Sequence, residues 1–192
     1  METKEAILTR RSIRLYQDRA ISEEDLKEIL DAGTYAPSAV NLQPWYFVAI
    51  QDKGEMEKLY QIMGDVSTKI EPELRERFAR NPEVVSETTG FISKLGGAPV
   101  CILAFQLKPD YGKRPETIIQ SVAAAVENML LAATDKGIGS CWLTAPLEVD
   151  ASEILRETFA PECGNLLAVI TLGYPAQNPK TPLRKSGRYV IK

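Results

Sequence analysis

The sequence contains no histidine among its 192 residues. Histidine is the usual general base near neutral pH and the commonest zinc ligand, so its absence excludes Ser-His and Cys-His catalytic pairs. Much hydrolase chemistry is therefore disfavoured. We also expect no bound metal ion.

Cysteine is scarce as well. Cys101, Cys141 and Cys163 are widely spaced, odd in number and surrounded by apolar residues. This pattern is typical of buried free thiols and does not predict a disulfide framework.

No apolar run reaches the roughly 18 to 20 residues that span a bilayer, and the start METKEAILTRR is charged and helical, unlike a signal peptide. A net charge of −3 argues against a surface built to hold nucleic acid. We expect a cytoplasmic protein with no membrane or nucleic-acid partner. The length and the 44% hydrophobic content predict one domain over residues 1–192.

The first half of the chain shows two helix signals before its first strand. Residues 3–9 are predicted to form a short helix capped by Thr3, and Ser22 with Asp25 is predicted to cap a second helix ending near Gly33. Residues 35–44 are a loop, and residues 45–51 are a buried strand. Residues 54–95 are polar and contain Pro72 and Pro82, which predicts several short helices.

The second half alternates apolar strands with helices. Strands are predicted at residues 99–106, 140–144 and 166–172, and a long helix runs from Pro115 to Gly137. That helix is apolar on nearly every face, so we expect it to be buried all round. Asp150 and Glu153 are predicted to open a helix between the last two strands. The proline-rich tail from residue 174 cannot be helical and ends in an apolar, strand-like stretch at residues 188–191.

Two basic clusters lie at opposite ends of this acidic chain. One holds Arg10, Arg11 and Arg14 beside Ser12, and the other holds Arg184 and Lys185 in the tail. Guanidinium groups bind phosphate through paired, charge-assisted hydrogen bonds. Solvated basic surface is the alternative explanation for each cluster taken alone.

Two loops lie next to predicted strands. Residues 37–45, PSAVNLQPW, place hydroxyl and amide side chains before a strand, where they either orient a ligand or satisfy their own backbone. Residues 137–145, GIGSCWLTA, form a glycine-rich turn whose backbone could approach a flat ligand, or which is simply a helix end. The turn follows a helix and precedes a strand, the reverse of the Rossmann order.

Together and in this order, these motifs resemble the FMN-dependent nitroreductases. The resemblance rests on RRSIR near the N-terminus, APSAVNLQPW, the helix ending in KGIGSCWLTA, and ITLGYP followed by the basic tail. It covers the chain apart from residues 54–95. It implies an α+β fold, a three-layer sandwich with a central mixed sheet flanked by helices, in an intertwined homodimer whose tail adds to the partner's sheet.

The resemblance also implies a flavin site at the subunit interface. Arg14 is placed at the pyrimidine edge, the backbone of Leu143 and Thr144 donates to flavin N5, and Pro37 and Ser38 come from the partner subunit. Thr144-Ala145 replaces the glycine-rich or acidic pair of many relatives, and the lysine that some relatives place near the ring has no clear counterpart. The implied cofactor-binding residues are Arg10, Arg11, Ser12, Arg14, Pro37, Ser38, Asn41, Gln43, Leu143, Thr144, Arg184 and Lys185.

The implied activity is an NAD(P)H-dependent, ping-pong oxidoreductase that reduces a nitroaromatic, a quinone or a similar small acceptor through FMN. We expect no side-chain acid or base to be catalytic. Two alternatives stay open: a specialised reductive enzyme of the same fold, such as a dehalogenase-like or flavin-destroying enzyme, and a flavin-binding or storage protein without turnover.

Overall fold

The computed structural model describes residues 1–109 and 114–192. One or two α-helices precede each strand along the described chain, and the four strands lie in one sheet. In chain order the elements are α1 (Thr3–Thr9), α2 (Glu23–Thr34), β1 (Trp45–Ile50), α3 (Lys53–Arg77), α4 (Pro82–Lys94), β2 (Val100–Gln106), α5 (Pro115–Asp135), β3 (Gly139–Leu143), α6 (Ala145–Glu148), α7 (Ser152–Phe159) and β4 (Leu166–Gly173).

The sheet has the strand order β1-β2-β4-β3, and each neighbouring pair is antiparallel. A parallel bridge between Ser12 and Ser140 adds a short segment at the outer edge of β3. The four predicted strands of the sheet are confirmed to within one residue. The expectation that residues 45–51 are buried was wrong, because β1 is an edge strand that is buried only at Trp45 and Ile50. The parallel bridge is what makes the arrangement mixed.

Helices cover both faces of the sheet. Cys101, Leu103 and Phe105 of β2 pack in one apolar cluster with α3 and α4, while Ile102 and Ala104 pack in a second cluster with α2 and α5. Alternate residues of a strand point to opposite faces, so β2 contributes to both cores. This arrangement confirms the predicted α+β three-layer sandwich. All three cysteines are buried and free, as expected.

Helix capping agrees with the sequence at one of three positions. Ser22 caps α2, with its Oγ accepting from the Asp25 amide at 3.0 Å. The Thr3 cap was wrong, because Glu2 is the N-cap of α1 and makes no side-chain capping bond. The Asp150 cap was also wrong: Asp150 is left-handed, with φ of 54°, and α7 starts after Ala151. The Ser152 hydroxyl instead accepts from the Leu166 amide, which ties α7 to β4.

The prediction of several short helices over residues 54–95 was wrong, because α3 continues for 25 residues through Pro72. Ile70 and Leu74 on either side of the proline are buried in the core, which holds both halves in line. Because Pro72 has no amide hydrogen, the Thr68 carbonyl lacks its usual helical donor. Both residues are exposed, so water can satisfy that carbonyl.

α5 is buried on one face only. Residues such as Val126 and Met129 are fully enclosed, whereas Ile119 is 52% exposed. Burial on every side was therefore a wrong expectation for the single protomer. By length and composition α5 could also cross a membrane, but here it packs against α2 and the sheet as a core helix.

The tail does not form the expected strand within the protomer. Residues 181–192 are exposed throughout and carry no strand. Leu183, Tyr189 and Ile191 are 99%, 88% and 89% exposed. With Val190, which is 74% exposed, four large apolar side chains of the tail are left uncovered by the rest of the described chain.

Candidate functional site

The N-terminal arm, residues 10–16, runs along the outer edge of β3. The Ile13 amide donates to the Ser140 carbonyl at 2.8 Å, which forms the parallel bridge. The Tyr16 hydroxyl donates to the Ile13 carbonyl at 2.6 Å and lies 2.7 Å from Thr171 Oγ1. Burial raises the pKa of Tyr16, so the hydroxyl stays neutral and the bonds persist at neutral pH.

Gly139 allows the arm and the start of the tail to approach β3 closely. A Cβ atom there would lie 2.7 Å from Ile13 Cγ1 and 2.9 Å from Pro175 Cγ, closer than van der Waals contact permits. The glycine before the strand is therefore required by packing. Gly137 serves as a helix end, the other role expected of this turn, because it follows α5 with a positive φ of 69°.

Arg10 and Arg11 line one side of a cavity of about 330 Å³ between the arm and the tail. Arg10 Nε lies 3.5 Å from Glu127 Oε1 of α5. The tail residues Gln177, Asn178 and Pro179 line the opposite side. The arm and the tail, far apart in sequence, thus share one basic cavity, which we call the arm cavity.

Arg11 has a set of partners that the sequence did not suggest. Its guanidinium donates to the carbonyls of Leu8 and Arg10, at 2.8 and 2.7 Å, and to the Thr181 hydroxyl. These contacts satisfy the end of α1 and attach the tail to the arm. Its position favours a tether over a cofactor ligand.

Arg184 and Lys185 are exposed and are not in the arm cavity of the protomer. Arg184 follows the tethered Thr181 by three residues, and an extended chain of that length spans at most about 10 Å. The second basic cluster is therefore within reach of the first, as the resemblance requires.

A second cavity, also of about 330 Å³, lies at the end of β3, and we call it the β3 cavity. It brings together Arg14 from the arm with Leu143 and Thr144, three of the predicted cofactor-binding residues. α3 and α4 supply the opposite wall. Its lining residues are Arg14, Ile70, Leu74, Arg77, Thr88, Phe91, Ile92, Cys141, Trp142, Leu143, Thr144, Ala145 and Glu148.

The backbone amides of Leu143 and Thr144 point to opposite edges of β3. In an antiparallel ladder, successive residues direct their amide and carbonyl groups alternately toward and away from the partner strand. The Ser140 carbonyl faces outward, because it accepts from Ile13. By alternation the Thr144 amide also points to the outer edge, while the Leu143 amide points to β4. Thr144 is therefore the better candidate for a donor to a bound ring.

Two buried polar atoms of β3, Ser140 Oγ and Trp142 Nε1, have no hydrogen-bond partner among the described residues. Buried polar atoms are normally satisfied, so an additional group is expected near this strand.

Cys141 also lines the β3 cavity. Burial raises the pKa of its thiol, while Arg14, Ser12 and Arg10 act in the opposite direction. The burial effect is the larger one, so Cys141 is a neutral thiol at neutral pH and not a thiolate nucleophile.

The loop between α2 and β1 satisfies its own polar groups. Ser38 Oγ accepts from the Gln43 amide at 2.9 Å, and Asn41 Oδ1 accepts from Gln43 Nε2 at 3.0 Å. Val40, Asn41 and Gln43 all have positive φ values, between 47° and 55°. The loop is thus a well-defined turn, as expected if its polar side chains satisfy their own backbone and do not orient a ligand. Pro37, at the start of the loop, is exposed.

One protomer does not bring this loop to the arm. The Ala39 amide donates to Ser121 Oγ at 3.3 Å, near the start of α5, whereas the arm cavity includes Thr134 near its end. Thirteen residues of helix separate Ser121 from Thr134 by about 20 Å. The loop and the arm can therefore act on the same small ligand only if they come from different subunits.

Sequence reasoning missed the wall of the β3 cavity formed by α3 and α4. Arg77, Thr88 and Phe91 all lie in residues 54–95, the segment that the resemblance does not cover. In the sequence, a single polar residue on an amphipathic helix cannot be distinguished from an ordinary surface residue, so no local pattern marks this wall.

Comparison with known proteins places these features in a family. Residues 7–174 match the model of the Nitroreductase family. A protein from Methanothermobacter thermautotrophicus, provisionally named NADH dehydrogenase/NAD(P)H nitroreductase, is 38% identical over 94% of this chain and 81% of its own length. The chain belongs to the nitroreductase family.

Two further proteins show the range of that family. The crystal structure of a nitroreductase with bound FMN from Bacteroides fragilis matches with a TM-score of 0.76 and 30% identity, over 100% of this chain and 99% of the other. The iodotyrosine deiodinase of Thermotoga neapolitana is 31% identical over 90% of this chain and 89% of its own.

Proposed function

We propose that the protein is an FMN-dependent oxidoreductase that takes hydride from NAD(P)H and reduces a small acceptor in a ping-pong reaction. The observation that carries the proposal is the β3 cavity, in which Arg14 and the outward-facing amide of Thr144 meet at the edge of one strand. A nitroaromatic or a quinone is the proposed acceptor.

The donor set of the chain fits FMN. Arg10 and Ser12 of the arm, with Arg184 and Lys185 of the tail, supply the cations and the hydroxyl suited to a phosphate. Arg14 and Thr144 would hold the ring edge. When bound, FMN supplies the hydride-accepting ring.

The residues of the β3 cavity act by position and charge. A guanidinium at Arg14 stabilises negative charge at the pyrimidine edge by direct Coulomb attraction. The Thr144 amide orients a neighbouring ring acceptor, and Phe91 with Leu74 excludes water from one wall. Cys141 stays protonated, so no thiolate is offered as a base.

We further propose that the active unit is a homodimer, with Pro37 and Ser38 of one subunit reaching the arm cavity of the other. The separation of about 20 Å along α5 between loop and arm supports this arrangement. The half-exposed Ile119 and the exposed apolar tail give the protomer surfaces that a partner could cover.

Purification should yield a yellow protein, and replacing Arg10 and Arg184 together by Ala should leave it folded but largely colourless. The two cations are expected to share the FMN phosphate. Flavin content is measured from the visible spectrum and folding by circular dichroism. The control is the pair Arg75→Ala and Arg80→Ala, which removes the same charge outside both cavities and should keep the colour.

A specialised reductase remains the second candidate, favoured by the similarity to an iodotyrosine deiodinase. Oxidation of NADH and NADPH with and without menadione separates an acceptor-reducing enzyme from a flavin storage protein, which would consume neither. A folded, colourless wild-type protein that takes up no FMN would overturn the whole proposal.

A further inference from the structure

The β3 cavity has two walls of different origin. Arg14, Leu143 and Thr144 form the wall assigned above to the cofactor, and α3 with α4 forms the other. Its volume of about 330 Å³ is at the lower end of the range for small-molecule sites, which is about 300 to 1,000 Å³. The second wall is therefore the place to look for residues that select a small acceptor.

Arg77, the last residue of α3, is the cation of that wall. Within residues 1–109 and 114–192 it forms no ion pair, whereas Arg75 on the same helix pairs with Glu71. The Arg77 guanidinium only lies 5.7 Å from the ring of its chain neighbour, Phe78. Its charge is consequently available to a ligand.

The charge left on the second wall favours an anion. Arg14 is assigned above to the cofactor, so Arg77 is the cation that remains for the acceptor. The Glu148 carboxylate is already engaged, because its Oε1 accepts from Thr144 Oγ1 at 2.9 Å on the cofactor wall. A guanidinium without an ion-pair partner in a cavity raises the local concentration of anions.

The remaining lining favours an aromatic body. Phe91, Ile70 and Leu74 line the cavity with apolar side chains of one core cluster, and Thr88 adds a hydroxyl. Apolar walls with a few convergent polar groups are typical of sites for small ring compounds.

We infer that the acceptor is a small aromatic compound carrying an acidic group, and that Arg77 is the specificity residue that binds this group. The inference rests on the proposed function, which assigns Arg14 to the cofactor and leaves Arg77 for the acceptor. The nicotinamide would supply the two electrons that reduce the acceptor and water the protons that the acceptor gains, while Arg77 would only bind the acidic group and take no proton.

Ligand binding tests this without turnover. Benzoate and its neutral analogue benzamide are titrated by calorimetry into the purified holoprotein, the Arg77→Gln variant and the Arg75→Gln control. We expect Arg77→Gln to raise the Kd for benzoate about fivefold, as for one exposed charged contact, and to leave that for benzamide unchanged. Arg75→Gln should change neither, and Arg77→Lys should stay within about twofold of wild type for benzoate.

Reoxidation of the prereduced enzyme gives a second measurement. The Arg77→Gln variant should be slower with subsaturating 4-nitrobenzoate and unchanged with 4-nitrobenzamide. Equal Kd values for benzoate in wild type and Arg77→Gln would overturn the inference. So would loss of flavin in the variant, because Arg77 would then be a cofactor ligand. Absence of flavin from the wild type instead contradicts the proposed function, so the two failures are distinguishable.

Discussion

Gly139 is the point where the arm, β3 and the tail meet. Ile13 and Pro175 occupy the space that any side chain at this position would need. A single hydrogen atom in place of a methyl group thus permits the arm, with its arginines, to lie against the strand that carries Thr144.

Replacing Gly139 by Ala should lower the free energy of unfolding by about 1 to 3 kcal/mol, since the extra methyl group forces the arm or Pro175 to move. Urea unfolding followed by circular dichroism measures the change, and flavin content should fall with it. Gly64→Ala in α3 is the matched control, because its Cβ meets nothing within 4 Å. It should raise stability by about 0.5 to 1 kcal/mol. Equal effects of the two variants would contradict the close approach.

α3 shows how tertiary packing overrides a local signal. Pro72 lacks the amide that an interior helical residue donates, and its ring crowds the preceding turn. The helix continues nevertheless, because Met63, Ile70 and Leu74 are buried on its inner face. Because α3 continues through Pro72, its last turn brings Arg77 to the β3 cavity.

Replacing Pro72 by Ala should raise the free energy of unfolding by about 1 to 3 kcal/mol, because the variant regains the donor without losing core contacts. Pro82 at the start of α4 is the control: a proline in the first turn is already favourable, so Pro82→Ala should change stability little. Chemical denaturation of both variants makes the comparison. A neutral Pro72→Ala variant would show that α3 does not continue through this position.

The exposed tail is the segment that we expect to join the protomer to its partner. Its apolar residues are exposed in the protomer, and burying each of them could contribute about 1.5 to 3 kcal/mol. Its basic residues follow the point where Thr181 meets Arg11. Dimer formation and flavin retention are thus expected to depend on the same segment.

Truncation after Pro182 should lower dimer stability and release flavin together. Size-exclusion chromatography over a range of protein concentrations measures the first effect, and the visible spectrum the second. A full-length variant with Arg184→Ala and Lys185→Ala separates them, since it should stay dimeric while losing flavin. A truncated protein that stays dimeric and yellow would contradict both roles of the tail.

Much of the fold and part of the site could be read from residue order. The strands, α2 with its Ser22 cap and the long helix α5 followed from apolar periodicity, capping residues and turn glycines. The resemblance implies that Arg14 and Thr144 belong to one site, and the two residues line the same cavity. Local patterns failed where distant contacts decide the outcome, as at Pro72, Asp150 and the exposed side of α5.

The sequence by itself determined the four strands of the sheet and the helices α2 and α5, because burial period and backbone preference are local properties. It also determined the excluded chemistry, because a chain without histidine offers no imidazole anywhere. Only the tertiary structure decided that the Thr144 amide faces outward, that Arg11 tethers the tail, and that Arg77 shares a cavity with Arg14. Each of these depends on the register of the arm on β3 or on the length of α3, and contacts between distant segments set both.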